Sequence, residues 1–259
     1  MPLLCIDIGN THTHYGVVGP DGVTDQDTVL TPLLDDTQEG LPNRLAALYL
    51  ARPQIRGVAF CSVVPAINWR LREVLAASSR LPVFQLTHEC NLGVPISYPK
   101  PSEIGQDRLA NAAGVRSLIT GPAVVIALGT AVAFDVITTR GGYEGGVITP
   151  GPALVTRYLH ERTAQLPLVD DLQTPLKSVI GKSTAEAIRI GAVVGFAGLI
   201  QSILDAIITE LAQKETTAPV IFLAGGAATT VTERLRQPVR HLPDLTLLGL
   251  AAAYKLNKA

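Results

Sequence analysis

A glycine turn between two apolar strands occurs twice in this chain, and the doubling narrows its possible folds more than any other feature. Near the start, Leu3-Leu4-Cys5-Ile6 reads as an apolar strand and Asp7-Ile8-Gly9-Asn10-Thr11 as a turn. Tyr15-Gly16-Val17-Val18 is the strand that returns. Later, Pro122-Ala123-Val124-Val125-Ile126 is a strand, Ala127-Leu128-Gly129-Thr130 its turn, and Phe134-Asp135-Val136-Ile137-Thr138 the return. Ile6-Asp7-Ile8-Gly9 lies on Ile126-Ala127-Leu128-Gly129, and each precedes a threonine and a second strand. One weak repeat on this scale predicts two related lobes, 1–117 and 118–259, rather than an array of short units. A third glycine turn ends the run Val220-Ile221-Phe222-Leu223-Ala224-Gly225-Gly226-Ala227.

The intervening segments predict helices over Leu41–Arg52, Asn68–Ser79 and Leu109–Ser117, and strands over Gly57–Ser62 and Pro82–Leu86. That alternation predicts an α/β protein. Aromatic residues are only 5% of the chain, so its cores must be aliphatic. The charge-free stretch between Arg189 and Asp205 is interrupted by Gln201 and Ser202, and falls short of the ~20 residues of a membrane span. It is expected to be a buried helix. A net charge of −1 predicts no diffuse attraction to nucleic acid or to anionic lipid. Cys5, Cys61 and Cys90 are odd in number and widely spaced, with neither disulfide nor zinc spacing. No basic region precedes Asp7, which would interrupt a signal peptide's apolar core, so the expected location is cytoplasmic.

The first turn suits phosphate chemistry. Gly9 permits close backbone approach, and nearby amides and hydroxyls can hold phosphate oxygens. The Asp7 carboxylate would repel phosphate without an intervening cation, and Mg²⁺ is held in this way by one or two carboxylates plus the phosphates. Taken alone, an ordinary hairpin turn accounts for these residues equally well. Gly105-Gln106-Asp107-Arg108 forms a second cluster. Asp107 there is either an acidic residue favoured by a helix dipole or a general base for a substrate hydroxyl, with Arg108 as an anion clamp.

Two paired glycine hairpins and a later Gly-Gly turn resemble the actin-like ATPase and sugar-kinase fold, with two duplicated ribonuclease-H-like lobes. That resemblance implies two phosphate loops facing one another across a cleft and a third turn against adenosine. In detail the chain resembles the type III pantothenate kinases. The matching segments are Asp7-Ile8-Gly9-Asn10-Thr11, Ser62-Val63-Val64-Pro65, Tyr98-Pro99-Lys100-Pro101, Gly105-Gln106-Asp107-Arg108, Gly145-Gly146-Val147-Ile148-Thr149-Pro150-Gly151, Leu166-Pro167, Gly181-Lys182-Ser183-Thr184 with Gly191, and His241 to Leu250. They run in order along almost the whole chain.

The resemblance implies ATP-dependent phosphorylation of pantothenate, with Asp107 as proton acceptor. It implies that Tyr98, Gly105, Gln106, Asp107, Arg108 and Thr184 contact pantothenate. ATP would be bound by Asp7, Ile8, Gly9, Asn10, Thr11, His12, Thr13 and His14, with Asp7 facing Mg²⁺ and Thr130 reaching a phosphate from the second loop. It also implies a homodimer built on the helix over 185–212.

The chain departs from the family at the second loop, where Asp-x-Gly-Thr-Ala-Thr-Thr is usual and Ala127-Leu128-Gly129-Thr130-Ala131-Val132-Ala133 stands. The missing carboxylate is the ligand of the family's monovalent cation, K⁺ or NH₄⁺, so loss of that site at Ala127 is expected. His12 replaces a common Asn, and Leu248 a usual acidic residue. Asp135 is expected to be a turn or strand-end carboxylate rather than a replacement ligand. His88 and Cys90 are expected to be loop or core residues, and His12 with His14 lacks a third metal ligand. The damaged loop motivates the alternative of a catalytically degenerate binding or regulatory protein.

Overall fold

The computed structural model describes residues 1–225 and 232–258. Gly226 and Ala227 of the third glycine turn therefore lie outside the described residues. Two compact units are present. One comprises Met1–Thr120, Gly141–Tyr143 and Asp244–Ala259; the other comprises Gly121–Arg140 and Glu144–Pro243.

In the first unit, β1 (Leu3–Ile8), β2 (His12–Gly19) and β3 (Gly22–Leu30) run as an antiparallel meander. Helix α1 (Leu41–Ala51) leads to β4 (Val58–Ser62), and α2 (Asn68–Ser78) to β5 (Val83–Gln85). The sheet order is β3-β2-β1-β4-β5, with β4 parallel to both β1 and β5. Central β1 reads as a continuous apolar run because it is covered on both faces. Leu4, Ile6 and Ile8 pack with Leu41, Leu45, Phe60 and Leu71 in an aliphatic core. The hairpin is tighter than the sequence suggests. Asp7 and Ile8 complete β1 and His12 opens β2, so only Gly9, Asn10 and Thr11 form the turn.

The second unit has the same plan. β6 (Ala123–Leu128), β7 (Ala131–Thr138) and β8 (Gly142–Pro150, of which Gly142 and Tyr143 count with the first unit) precede α4 (Pro152–Glu161), α5 (Thr184–Ile190) and α6 (Phe196–Leu211). β9 (Val220–Ala224) and β10 (Val239–His241) complete the order β10-β9-β6-β7-β8. With β6, β7, β8, β9 and β10 standing for β1 to β5, the two orders are identical. This duplicated arrangement is the ribonuclease-H-like plan of the actin-like ATPase and sugar-kinase fold.

Two expectations require correction. The helix expected to be buried is continuous over Thr184–Leu211 through a π-helical turn at Gly191–Gly195, and it is long and apolar enough to cross a bilayer. Phe196, Ala197, Ile200, Leu204 and Leu211 pack inward, whereas Val194 and Leu199 are exposed. One face is buried, not the whole helix. Asp135 is neither in a turn nor at a strand end. It lies inside β7 opposite Val125 and is fully buried.

The last helix, α7 (Leu245–Lys258), packs on α3 (Gln106–Leu118) within the first unit. Every residue of α3 from Leu109 to Val115 is buried. The alanines and Gly114 leave room for the close neighbour, and Thr246 Oγ1 donates to Asn111 Oδ1 at 2.9 Å. Burial of α3 gives its first turn, which carries Asp107, a rigid base.

Candidate active site

The end of β1 places Asp7 beside β4, where Cys61 is its register partner. The Cys61 thiol donates to Asp7 Oδ1 at 3.3 Å. Burial, aided by the negative charge of Asp107, raises the Asp7 pKa to about 7, against the thiol's opposing hydrogen bond. Burial likewise pushes the Cys61 thiol up, so it stays a donor.

The turn beyond Asp7 is held from beneath. Gly9 N–H donates to His12 O at 3.0 Å, and the Thr31 hydroxyl donates to Gly9 O at 2.7 Å. Thr31 N–H donates to Thr11 O, and buried Thr13 shares a 3.0 Å hydroxyl–hydroxyl bond with Thr31. Thr31 therefore braces both sides of the turn while Asn10, Thr11 and His12 stay exposed. A Cβ at position 9 would stand 3.0 Å from His12 O, so the turn closes tightly around glycine. Thr13 faces inward and is a bracing residue. His14 bonds Thr28 Oγ1 at 2.9 Å, and its pKa is lowered by burial and by His12. Ile8 is core.

The second cluster sits on the same unit. Gly105 precedes α3, and Gln106 Oε1 accepts from Ser62 N–H at 2.9 Å, tying the helix start to the end of β4. Arg108 N–H donates to Asp107 Oδ1 at 2.8 Å. Burial nevertheless raises the Asp107 pKa, with the adjacent N–H and the Arg108 charge opposing it. A Cβ at position 105 would lie 2.5 Å from Asp107 Oδ1, so only glycine admits this carboxyl rotamer. The Arg108 guanidinium lies 5.7 Å over the Tyr143 ring, and Tyr98 meets that ring at 6.5 Å. Asp7, the first turn, Tyr98 and Gly105 to Arg108 thus belong to one compact unit, in which the charges of Asp7 and Asp107 act on one another.

Thr130, Ala127 and Thr184 belong to the second unit. Thr130 is exposed at the β6–β7 turn, and its carbonyl accepts from Gly151 N–H at 2.9 Å. Ala127 pairs with Ala133 on β7 and Ala224 on β9. Alternation along β7 puts Asp135 on the same sheet face as Ala133 and Ala127, two register pairs farther from the turn. Thr184 is exposed in the first turn of α5, where Ser183 caps Glu186 N–H and Glu186 reaches back to Lys182 N–H. Ser183 thus caps α5, and Glu186 reaches back to the residue before the cap.

Sequence reading missed Thr31, Cys61 and Tyr143. Cys61 was visible as the residue before the Ser62-Val63-Val64-Pro65 segment, but its contact with Asp7 depends on strand register. Tyr143 carries no local signal beyond following Gly141-Gly142.

The family model for type III pantothenate kinase matches residues 3–206. The chain belongs to this family. A type III pantothenate kinase of Frankia alni is 37% identical over 259 residues, covering 98% of this chain and 99% of that one. That of Acidothermus cellulolyticus is 38% identical over 261 residues, covering 98% of each. Among solved structures, a ROK-family glucokinase from Streptomyces griseus, crystallised with glucose and AMPPNP, aligns over 100% of both chains. Its TM-score is 0.54 at 18% identity, a likeness of fold. Membership makes this protein a kinase, a phosphotransferase that uses ATP.

Proposed function

We propose that this protein phosphorylates pantothenate on its 4′-hydroxyl to give 4′-phosphopantothenate, the first step of coenzyme A synthesis. One observation carries the reading: half-buried Asp107, its pKa raised by desolvation, is aimed by Gly105 and by Arg108 N–H from a rigid helix start. In this role Asp107 orients the hydroxyl and takes its proton as the oxygen–phosphorus bond forms and ADP departs. Arg108 and Tyr98 hold the acceptor, with Gly105, Gln106 and Thr184 as further contacts.

Gly9, Asn10 and Thr11 present an open turn for ATP phosphates, joined by Asp7, Ile8, His12, Thr13, His14 and Thr130. Asp7 fits Mg²⁺, since a nearby cation would lower the raised pKa of this carboxyl and hold it as the carboxylate that a metal needs. Mg²⁺ supplies charge neutralisation to the phosphates when bound. Ala127 does not fit a monovalent-cation site, having no side-chain oxygen. The exposed apolar face of Thr184–Leu211 supports a homodimer, and the proposed setting is cytoplasmic.

Coupled detection of ADP release with and without pantothenate tests the reading. Pantothenate-dependent release is expected. Release that ignores pantothenate would overturn the substrate, and none at any concentration would favour the non-catalytic alternative.

A further inference from the structure

We propose that Tyr143, which lies outside every motif set out above, is the positioning residue of the acceptor site. Its ring is the platform that aims Arg108 and Tyr98 together. The proposal rests on reading those two residues as pantothenate contacts.

Tyr143 is fully buried, so it acts through its neighbours rather than on a ligand. The Arg108 guanidinium carbon lies 5.7 Å from its ring centroid, within cation–π range. This contact restrains the guanidinium against the ring, and with it the planar fork of N–H donors whose geometry matches a carboxylate. The Tyr98 ring sits 6.5 Å from the same ring at 58°, within the range of favourable aromatic pairs. One side chain thus fixes two groups from separate segments.

The platform is itself anchored. Tyr143 N–H donates to Pro95 O and Ser97 N–H to Tyr143 O, both at 2.9 Å, forming a parallel bridge across Ile96. Ser97 Oγ donates to Gly141 O at 2.7 Å. Gly142 has φ +71°, and a Cβ there would stand 2.2 Å from Pro95 O. Glycine at this position lets the bridge close, and the bridged segment delivers Tyr98. Pantothenate, an anion with an extended amide arm, offers a carboxylate to Arg108 and apolar surface to Tyr98.

The test replaces Tyr143 by Phe, by ring-fluorinated phenylalanines of increasing fluorine content, and by Leu. Steady-state KM for each substrate, kcat and Tm are then measured. Tyr143→Phe keeps the ring while removing a buried hydroxyl, and it is the reference for the fluorinated series. Tyr143→Leu should raise the pantothenate KM about 3–30-fold, the equivalent of one cation–π contact, and leave the ATP KM unchanged. The fluorinated series is nearly isosteric and should raise the pantothenate KM stepwise as the ring face loses negative charge. Arg108→Ala should raise the same KM, and adding Tyr143→Leu to it should raise KM little further.

A flat fluorinated series beside a sensitive Arg108→Ala variant would overturn the platform alone. An Arg108→Ala variant with normal pantothenate KM would overturn the clamp and the platform with it. Parallel loss of Tm, kcat and both KM values in the Leu variant, with a flat series, would reduce Tyr143 to core packing.

Discussion

Asp7 should destabilise the ligand-free protein at neutral and alkaline pH, and Asp7→Asn should relieve that strain. The carboxyl is pushed from 3.8 to about 7, chiefly by burial and secondarily by Asp107. Its folded pKa lies above its unfolded one, so the folded state holds the extra proton between those values. The contribution of Asp7 to stability is therefore greatest below about pH 4, falls as pH rises towards 7, and is level beyond. A shift of about three units at 1.36 kcal/mol each sets a ceiling of ~4 kcal/mol, and partial solvent contact at Asp7 reduces the expectation to about 2–4 kcal/mol. Asp7→Asn keeps the shape without the charge. It should match wild type near pH 4 and exceed it by that amount at pH 8, several degrees in Tm. The assay is urea and thermal denaturation at pH 4, 6 and 8 without nucleotide or Mg²⁺. With both added, the order should reverse at pH 8, because ligand binding stabilises only the protein that retains the carboxylate. Equal or lower stability of ligand-free Asp7→Asn at pH 8 would refute the argument, and would mean that the ionised carboxylate is satisfied where it stands.

Asp107→Asn should lower kcat by ~10²–10⁴ with little change in the ATP KM; near-normal turnover would identify another base. Gly105→Ala should displace the Asp107 carboxyl, which its Cβ would meet at 2.5 Å, and cut kcat more than it changes Tm. Wild-type turnover should be weak and unresponsive to K⁺ or NH₄⁺, since a lost electrostatic contact of this kind is worth ~10²–10³ in rate. Robust potassium-stimulated turnover would assign the ligand role to another group, with Asp135, on the same sheet face as Ala127, the first to substitute. Light scattering at micromolar concentration should give a dimer, and a monodisperse monomer would leave the apolar face of Thr184–Leu211 without that explanation.

Much of the fold was legible because its signals are local. Apolar runs, glycine turns and the segments from Asp7 to Gly191 depend on neighbours in sequence, and they predicted an α/β duplication that returns as two sheets of identical strand order. The meander strand β3 escaped notice, because mostly exposed Gly22–Leu30 has no apolar alternation to reveal it. Asp107, Arg108 and Tyr98 were visible as residue types at a recognisable spacing.

Other features are set by what lies opposite a residue, and the chain does not write that down locally. Residue order alone does not seat α7 against α3 in the first unit, put Asp135 in mid-strand, or expose one side of an apolar helix. The same holds for chemistry. An aspartate in a sequence is an ordinary acid, and Asp7 becomes a group of pKa about 7 only when packing desolvates it beside Asp107, against the opposing hydrogen bond from Cys61. Tyr143 is likewise one aromatic after two glycines until the bridge to Ile96 sets its ring beneath Arg108. Local pattern determines which segments become strands, turns and helices; desolvation and through-space charge exist only after those elements pack.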